Sequence, residues 1–286
     1  MSTPPPLTTR EDRARVRRRR TRRSMAISGV STLIVLGGLG AVLVTSPGWH
    51  ALRITFFSWS AFRDSFGQVL SGFWLDVRLF LIVEVIVLVL GMLIALARTI
   101  HSPALFPLRL LAIVFVDVLR GVPTILVVYL IGFGVPTLAF SGIPTGAAFL
   151  GGAALALCYS AYVSEVFRAG IESVHPSQAG AGLALGLTPT QTLREVILPQ
   201  AVRRVVPPLL NDFISLQKDV ALISILGPQE AFRVAQVFAA STFNYTPLLA
   251  AAALYLCVTI PLTRIVDRLQ ARSRRERGAA LALGPR

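Results

Sequence analysis

Long apolar runs alternate with shorter polar segments along most of this chain of 286 residues. The length of each run is close to that of a membrane-spanning helix, which needs ~20 residues to cross ~30 Å of hydrocarbon at ~1.5 Å per residue. The pattern therefore predicts an all-α integral membrane protein with six transmembrane helices, whose two termini lie on the same side. The predicted spans are 25–45, 73–97, 108–135, 147–167, 205–227 and 245–265.

The segments around the spans predict the remaining organisation. Residues 1–24 and 270–286 are basic and poor in large apolar side chains, which predicts a disordered cytoplasmic tail for the first and a basic cytoplasmic tail for the second. Residues 46–72 mix aromatic side chains with a few charges, which is typical of an external interfacial segment. Residues 73–269 then form the main transmembrane domain, and its longest internal polar stretch, 168–204, is a basic cytoplasmic loop.

Composition and charge support a membrane location. Hydrophobic residues make up 54 % of the chain and charged residues 15 %, against the ~25 % charged residues of a soluble domain. The formal net charge of +14 is concentrated near the two ends, with nine arginines in 10–23 and seven in 264–286. This distribution is the positive-inside pattern of two cytoplasmic termini, and it argues against a nucleic-acid partner. The run 25–45 is too long for a signal peptide and is predicted to be retained.

Several kinds of site chemistry are disfavoured. Cys158 and Cys257 both lie in apolar runs, so neither a disulfide framework nor a cysteine-based zinc site is expected. Lys218 is the only lysine and follows Gln217 rather than a glycine, so a Walker A motif is absent and this chain alone is not expected to bind and hydrolyse ATP by that route. An intramembrane enzyme is also disfavoured, because all three histidines are assigned to loops: His50, His101 and His175.

The cytoplasmic loop predicts two short helices joined by a tight turn. Residues 179–185 are Ala, Gly and Leu, so a helix there has little side-chain bulk and allows another protein to approach closely. Gly186 can adopt the positive φ that ends such a helix. Thr188, Pro189 and Gln191 fit an N-cap, a first-turn proline and the partner of a capping box. A well-capped hairpin without a partner remains the alternative.

The loop also carries a spaced motif. Gly180-Ala181-Gly182, Gly186 and Leu198-Pro199 are spaced as in E-A-A, x3, G, x9, I-x-L-P, which resembles the signature of ATP-binding-cassette (ABC) importer permeases. Gly180 replaces the glutamate of that signature, and Val196 its isoleucine. Leu198-Pro199 also predicts a stop or kink in the second helix.

Three further stretches are similar to the polar amino acid branch of these permeases, the histidine/glutamine/glutamate type. The stretches are Arg120-Gly121-Val122-Pro123 for R-G-T-P, residues 164–170 for A-E-I-x-R-G-G, and residues 216–222 for a K-D-T-S-L run. The resemblance covers 72–269 and implies a five-helix permease core, to which the helix 25–45 is an addition.

The resemblance implies the permease subunit of an ABC importer that moves polar amino acids across a bacterial cytoplasmic membrane by alternating access. Its implied partners are a cytoplasmic ABC ATPase dimer that receives the loop, a second permease subunit that is the same or a sister chain, and an external substrate-binding protein. ATP and Mg²⁺ would be bound by the ATPase, so this chain is expected to be neither an enzyme nor a cofactor protein. Importers of other small zwitterions and ATP-independent channels or secondary transporters are the alternatives.

Charged residues inside spans are costly and predict partners. Asp117 and Arg120 are three residues apart and can pair on one helix face. Lys218 and Asp219 point about 100° apart on a helix, so each is expected to pair with another segment.

Three polar residues are candidates for the substrate pathway. Glu165 can meet a substrate ammonium group or an arginine of the loop. Glu84 either faces the cavity or pairs with a basic residue, and Asn211 either lines the pathway or makes an interhelical hydrogen bond.

Overall fold

The structure is a computed structural model that describes residues 10–100, 102–139, 141–142 and 144–282, with the backbone alone described for 10–23 and 272–282. All regular secondary structure in this part of the chain is helical. The chain divides into two units, Met1–Phe57 and Ser58–Arg286.

The first unit contains two helices, α1 (Arg10–Thr45) and α2 (Trp49–Phe56). Within α1, Ser24–Thr45 is long and apolar enough to cross a membrane, and none of its apolar window is buried. Residues 10–24, predicted to be a disordered tail, are the helical start of α1, whereas residues 1–9 lie outside the described part. Arginine is a good helix former, and a helix already nucleated in the apolar run extends into it at little cost.

The second unit begins with the 41-residue helix α3 (Trp59–Thr99). It then continues with α4 (Phe106–Gly121), α5 (Thr124–Thr137), α6 (Ala147–Glu172), α7 (Pro176–Ala184), α8 (Pro189–Gln191), α9 (Leu198–Asp219), α10 (Ala231–Thr242) and α11 (Thr246–Ala282). Residues 270–282 of the predicted basic tail continue α11, and residues 283–286 lie outside the described part.

Helix α3 starts well before the apolar run that predicted it. The Ser58 side chain caps the helix by accepting the N–H of Ala61 at 3.3 Å. Ala61, Ser65 and Val69 on its first turns are buried. Residues 59–72, predicted to lie in the external segment 46–72, are therefore a continuous extension of the second span, because the cap lies outside the apolar run.

The third predicted span, 108–135, is broken. Helices α4 and α5 meet at a bend of 108°. Pro123 disfavours a helical conformation of the residue before it, and Val122 is extended with φ −97° and ψ 133°. The pair is either a broken span or a re-entrant segment.

Among the described residues, four helices are long and apolar enough to cross a membrane, or five if α4 and α5 together form one span. The predicted span 205–227 falls on α9 and the 3₁₀ helix Val220–Leu226. Neither is among these candidates; α9 carries Asp212, Lys218 and Asp219. The count of six crossings and the side of the termini stay predictions.

Helix α6 is the centre of the second unit, packed against α3, α4, α5 and α9. Two-thirds of its apolar window is buried. Gly91 of α3 faces Val163 of α6 so closely that a Cβ atom at position 91 would lie 2.7 Å from a Val163 methyl carbon. The surrounding core includes Phe80 of α3 and Phe213 of α9, whose rings pack edge to face at 4.6 Å.

Candidate functional site

The loop 168–204 folds as a helical hairpin. Its first arm is α7, and its second arm is α8 followed directly by the π-helical turn Thr192–Ile197. Gly186 has φ +84°, and the N–H groups of Gly186 and Leu187 donate to the carbonyls of Leu183 and Gly182. This is the Schellman ending that a glycine at this position allows.

The second arm begins with the capping box that the sequence predicts. The Thr188 hydroxyl accepts the N–H of Gln191 at 3.3 Å, and Oε1 of Gln191 accepts the N–H of Thr188 at 2.9 Å. Pro189 occupies the first turn. Local hydrogen bonds therefore define both sides of the turn.

The two arms pack tightly at Gly182. Gly182 is buried, and a Cβ atom there would lie 2.7 Å from Cγ2 of Thr192. By contrast, a Cβ atom at Gly180 or Gly186 would have nothing within 4 Å. Leu185, at the tip, is 83 % exposed. The remaining motif residues are also exposed: Gly180, Ala181, Gly186, Leu198 and Pro199. The first arm and the tip of the hairpin thus present an uncharged, small-residue surface with an exposed leucine.

The motif ends in a change of helix type rather than a stop. The π turn finishes at Ile197, and α9 starts at Leu198 with Pro199 in its first turn. Since a proline lacks the backbone N–H, the first turn of a helix is where it is tolerated. The helical segment therefore continues through Leu198-Pro199 with a change of helix type and does not stop there.

Next to the hairpin, Glu165 of α6 joins three helices. Its Oε2 accepts from Arg98 of α3 at 2.5 Å and lies 3.9 Å from Arg120 of α4. Its Oε1 accepts from Arg168, one turn further along α6. Arg168 also contacts Glu172. Of the two predicted roles of Glu165, the arginine contact is the one present.

The predicted pairing of Asp117 with Arg120 is not formed. Arg120 points to Glu165 and also lies over the ring of Tyr162, 5.9 Å from its centroid. Asp117 is exposed and has no ion pair within the described residues. The packing of α4 on α6 places the Arg120 guanidinium 3.9 Å from Glu165 instead of beside Asp117.

Of Lys218 and Asp219, only Asp219 has the predicted partner on another segment within the described residues. Asp219 accepts the Tyr159 hydroxyl of α6 at 2.8 Å, so its partner on another segment is a phenol rather than a cation. Lys218 is exposed and belongs to no ion pair within the part of the chain that the structure describes.

A cavity of about 440 Å³ lies between α4, α6 and α9, beside the Glu165 cluster. It contains charges of both signs: Arg120 and Arg204 on one hand, Glu165 and Asp212 on the other. Oδ2 of Asp212 is buried without a hydrogen-bond donor within the described residues. Arg204 donates to the carbonyl of Ser173, which lies at the start of the hairpin. The cavity therefore connects with the element that the sequence singled out.

The other two predicted pathway residues lie outside this cavity lining. Glu84 of α3 is half-buried and close enough to Asp212 for the two carboxyl groups to interact electrostatically. Asn211 is exposed on α9.

The sequence did not single out Arg98, Arg204, Asp212, Tyr159 or Tyr162 as site residues. Arg98 ends an apolar run and Asp212 interrupts one, so each carried a signal. The tyrosines carried none, because a tyrosine in an apolar helix is ordinary.

A family model described as binding-protein-dependent transport system inner membrane component matches residues 88–275. The glutamine transport system permease protein GlnP of Escherichia coli (strain K12) is 33 % identical over 217 residues, covering 76 % of this chain and 97 % of that protein. The arginine transport system permease protein ArtQ of Bacillus subtilis (strain 168) is 30 % identical over 198 residues, covering 69 % and 88 %. A crystal structure of an amino acid ABC transporter with histidines superposes with a TM-score of 0.65 at 32 % identity, covering 72 % of this chain and 94 % of that chain.

Proposed function

We propose that this chain, which belongs to the family of binding-protein-dependent transport system inner membrane components, imports polar amino acids as the permease subunit of an ABC transporter. It is a multi-pass protein of the cytoplasmic membrane, as its apolar helices and its family require. The observation that carries the proposal is the exposed helical hairpin at the family motif.

The hairpin is suited to a groove on a cytoplasmic ATPase. Its exposed glycines and Ala181 let a partner surface approach the backbone, and Leu185 is an exposed apolar anchor at the tip. The second arm leads through the π turn directly into α9. A movement of the ATPase can therefore act on a helix that lines the cavity, as coupling between ATP and two access states needs.

The cavity is suited to a zwitterion. An α-carboxylate can pair with the guanidinium groups of Arg120 and Arg204, while an ammonium group can pair with Asp212, whose oxygen has no donor within the described residues. Glu165 is less available, because Arg98 and Arg168 already neutralise it. The volume of about 440 Å³ is adequate for an amino acid. Relatives named for glutamine and arginine support this substrate class.

The remaining parts of the system are separate chains. We propose an ATPase dimer that binds ATP and Mg²⁺, a second permease subunit, and an external substrate-binding protein, since the family is named for dependence on a binding protein. The proposed role of this chain is to change the access of the cavity without catalysing hydrolysis.

The first test is uptake of a panel of labelled amino acids by cells that lack this chain and by cells in which it is restored. We expect one or a few polar amino acids to lose uptake and to regain it on complementation. Gly186→Asp should fail to complement. Gly186→Asn should retain most activity, because asparagine has the size of aspartate without its charge and tolerates the positive φ of this position. Equal uptake with both variants would contradict a groove that excludes charge.

The second test concerns the cavity. Asp212→Asn should raise the KM for amino acid uptake by about tenfold, the factor that corresponds to ~1.4 kcal/mol of lost interaction, with little change in ATPase co-purification. The exposed Asp267→Asn is the matched control. An unchanged KM in Asp212→Asn would remove the cavity from the proposed pathway, and uptake that persists without any ATPase would favour a channel or secondary transporter.

A further inference from the structure

Helix α10 begins directly on the surface of α3. A Cβ atom at Gly72 of α3 would lie 2.7 Å from both the backbone N of Ala231 and the carbonyl carbon of Glu230. Only a glycine permits so close an approach. Two carboxyl side chains, those of Asp76 and Glu230, are enclosed at this junction.

Asp76 is one turn beyond Gly72 on α3 and is 2 % exposed. Its Oδ2 accepts the hydroxyl of Tyr255 of α11 at 2.8 Å and the N–H of Ala231 at 3.3 Å. Its Oδ1 is buried and has no donor within the described residues. A buried carboxylate oxygen without a donor is costly, so this oxygen needs a ligand.

Glu230 is fully buried beside Asp76. Its two carboxyl oxygens cap α10, accepting the N–H of Phe232 at 2.7 Å and of Arg233 at 2.5 Å. The cap holds the carboxyl group in place at the junction.

Within the described residues, this pair of carboxyl groups has no cation at ion-pair distance. Neither carboxyl group is in an ion pair among the described residues. In the part of the chain that the structure describes, the titratable and charged groups that face Glu230 are Asp76 from α3, Tyr255 from α11 and Arg233 from α10 itself. Arg233 donates from its guanidinium to Gln236. Two ionised carboxylates so close together and so deeply buried repel each other strongly.

We infer that Asp76 and Glu230 bind one proton between them, and that this proton-binding site makes the docking of α10 on α3 depend on pH. With the proton bound, the pair carries one negative charge, and an O–H group supplies the donor that Oδ1 of Asp76 lacks. Without it, the two carboxylates repel each other across the helix junction. Burial, and then the charge of Asp76, raises the pKa of Glu230 to about 7.

The site lies far from the coupling hairpin. Asp76 is about 33 Å along α3 from Arg98, at 1.5 Å per residue, and Arg98 lies at the Glu165 cluster. This separation is about one hydrocarbon thickness. The pair therefore lies about one hydrocarbon thickness from the Glu165 cluster, and the inference does not depend on the transported substrate.

The test is thermal unfolding of the full chain in lipid nanodiscs from pH 6 to pH 8. A group whose pKa is raised by folding stabilises the folded state below that pKa, and this stability is lost as pH rises through it. The wild type should therefore lose about 3 °C in Tm over this interval. Asp76→Asn should remove this loss, because its amide group supplies the donor permanently and still accepts from Tyr255. The exposed Asp267→Asn should behave like the wild type.

An equal pH dependence in Asp76→Asn and Asp267→Asn would overturn the inference. Glu230→Gln supplies the second variant if Asp76→Asn does not fold, and it should also remove the loss. Infrared spectroscopy of the wild type gives a measurement that needs no variant at these positions. The carbonyl band of a protonated carboxyl group should diminish between pH 6 and pH 8, and a constant band would also overturn the shared proton.

Discussion

Gly182 and Thr192 are in contact across the helical hairpin of residues 176–197, where a Cβ atom at position 182 would lie 2.7 Å from the Thr192 methyl carbon. Thr192 is buried by this contact. The contact sets the distance between α7 and the π turn that leads into α9. Gly182 thus meets a packing requirement that Gly180 and Gly186 do not, because a Cβ atom at either of those positions would have nothing within 4 Å.

Gly182→Ala should therefore impair coupling. The added methyl group overpacks the hairpin, which costs ~1–3 kcal/mol and should lower amino acid uptake about fivefold or more. Gly180→Ala is the control, because nothing lies within 4 Å of its Cβ position. Adding Thr192→Ala to Gly182→Ala removes the clashing methyl group and should restore uptake. Failure of this rescue would mean that Gly182 acts by a route other than contact with Thr192.

Glu165→Gln should destabilise the chain. The substitution leaves Arg98 and Arg168 without their shared carboxylate in a partly buried position, at a cost of ~1–3 kcal/mol after allowance for solvent at a side chain that is 22 % exposed. Glu172→Gln breaks only a pair whose carboxylate is 56 % exposed and should cost ~0.5 kcal/mol or less. Thermal unfolding of the two purified variants measures the difference, and equal Tm values would show that the cluster is not a structural link.

Gly170→Ala should separate α6 from α9. A Cβ atom at position 170 would overlap the Cγ2 atom of Val205, so the substitution should lower stability by ~1–3 kcal/mol. Val205→Ala removes that methyl group and should restore much of the loss. Gly152→Ala on the same helix is the control, because its new Cβ would meet Val83 at an ordinary 3.4 Å. Equal Tm values for Gly170→Ala and Gly152→Ala would contradict this packing.

Tyr159→Phe tests the partner that the structure gives to Asp219. Loss of the hydroxyl removes the hydrogen bond of 2.8 Å and leaves a carboxylate oxygen without its donor, which costs ~1–3 kcal/mol. Tyr129→Phe, at an exposed position of α5, should change Tm little. If Tyr159→Phe unfolds at the wild-type temperature, the hydrogen bond contributes nothing to stability.

Much of the local structure could be predicted from the sequence because it depends on neighbouring residues. The left-handed Gly186 and the capping box of Thr188 and Gln191 have the predicted geometry. Apolar runs also predicted the long helices at 25–45, 73–97, 147–167 and 245–265, since a run of ~20 apolar residues has few other stable environments. The order of the motifs along the chain was sufficient to identify the family, which the family match over residues 88–275 confirms.

Pairing between helices was decided by the tertiary structure. Arg120 could have paired with Asp117, yet the packing of α4 on α6 brings it to Glu165. Asp76 and Glu230 are 154 positions apart, and only the close approach at Gly72 brings their carboxyl groups together. The physical reason is that hydropathy and capping act over a few residues, whereas the rotation and separation of packed helices depend on side chains from every neighbour at once.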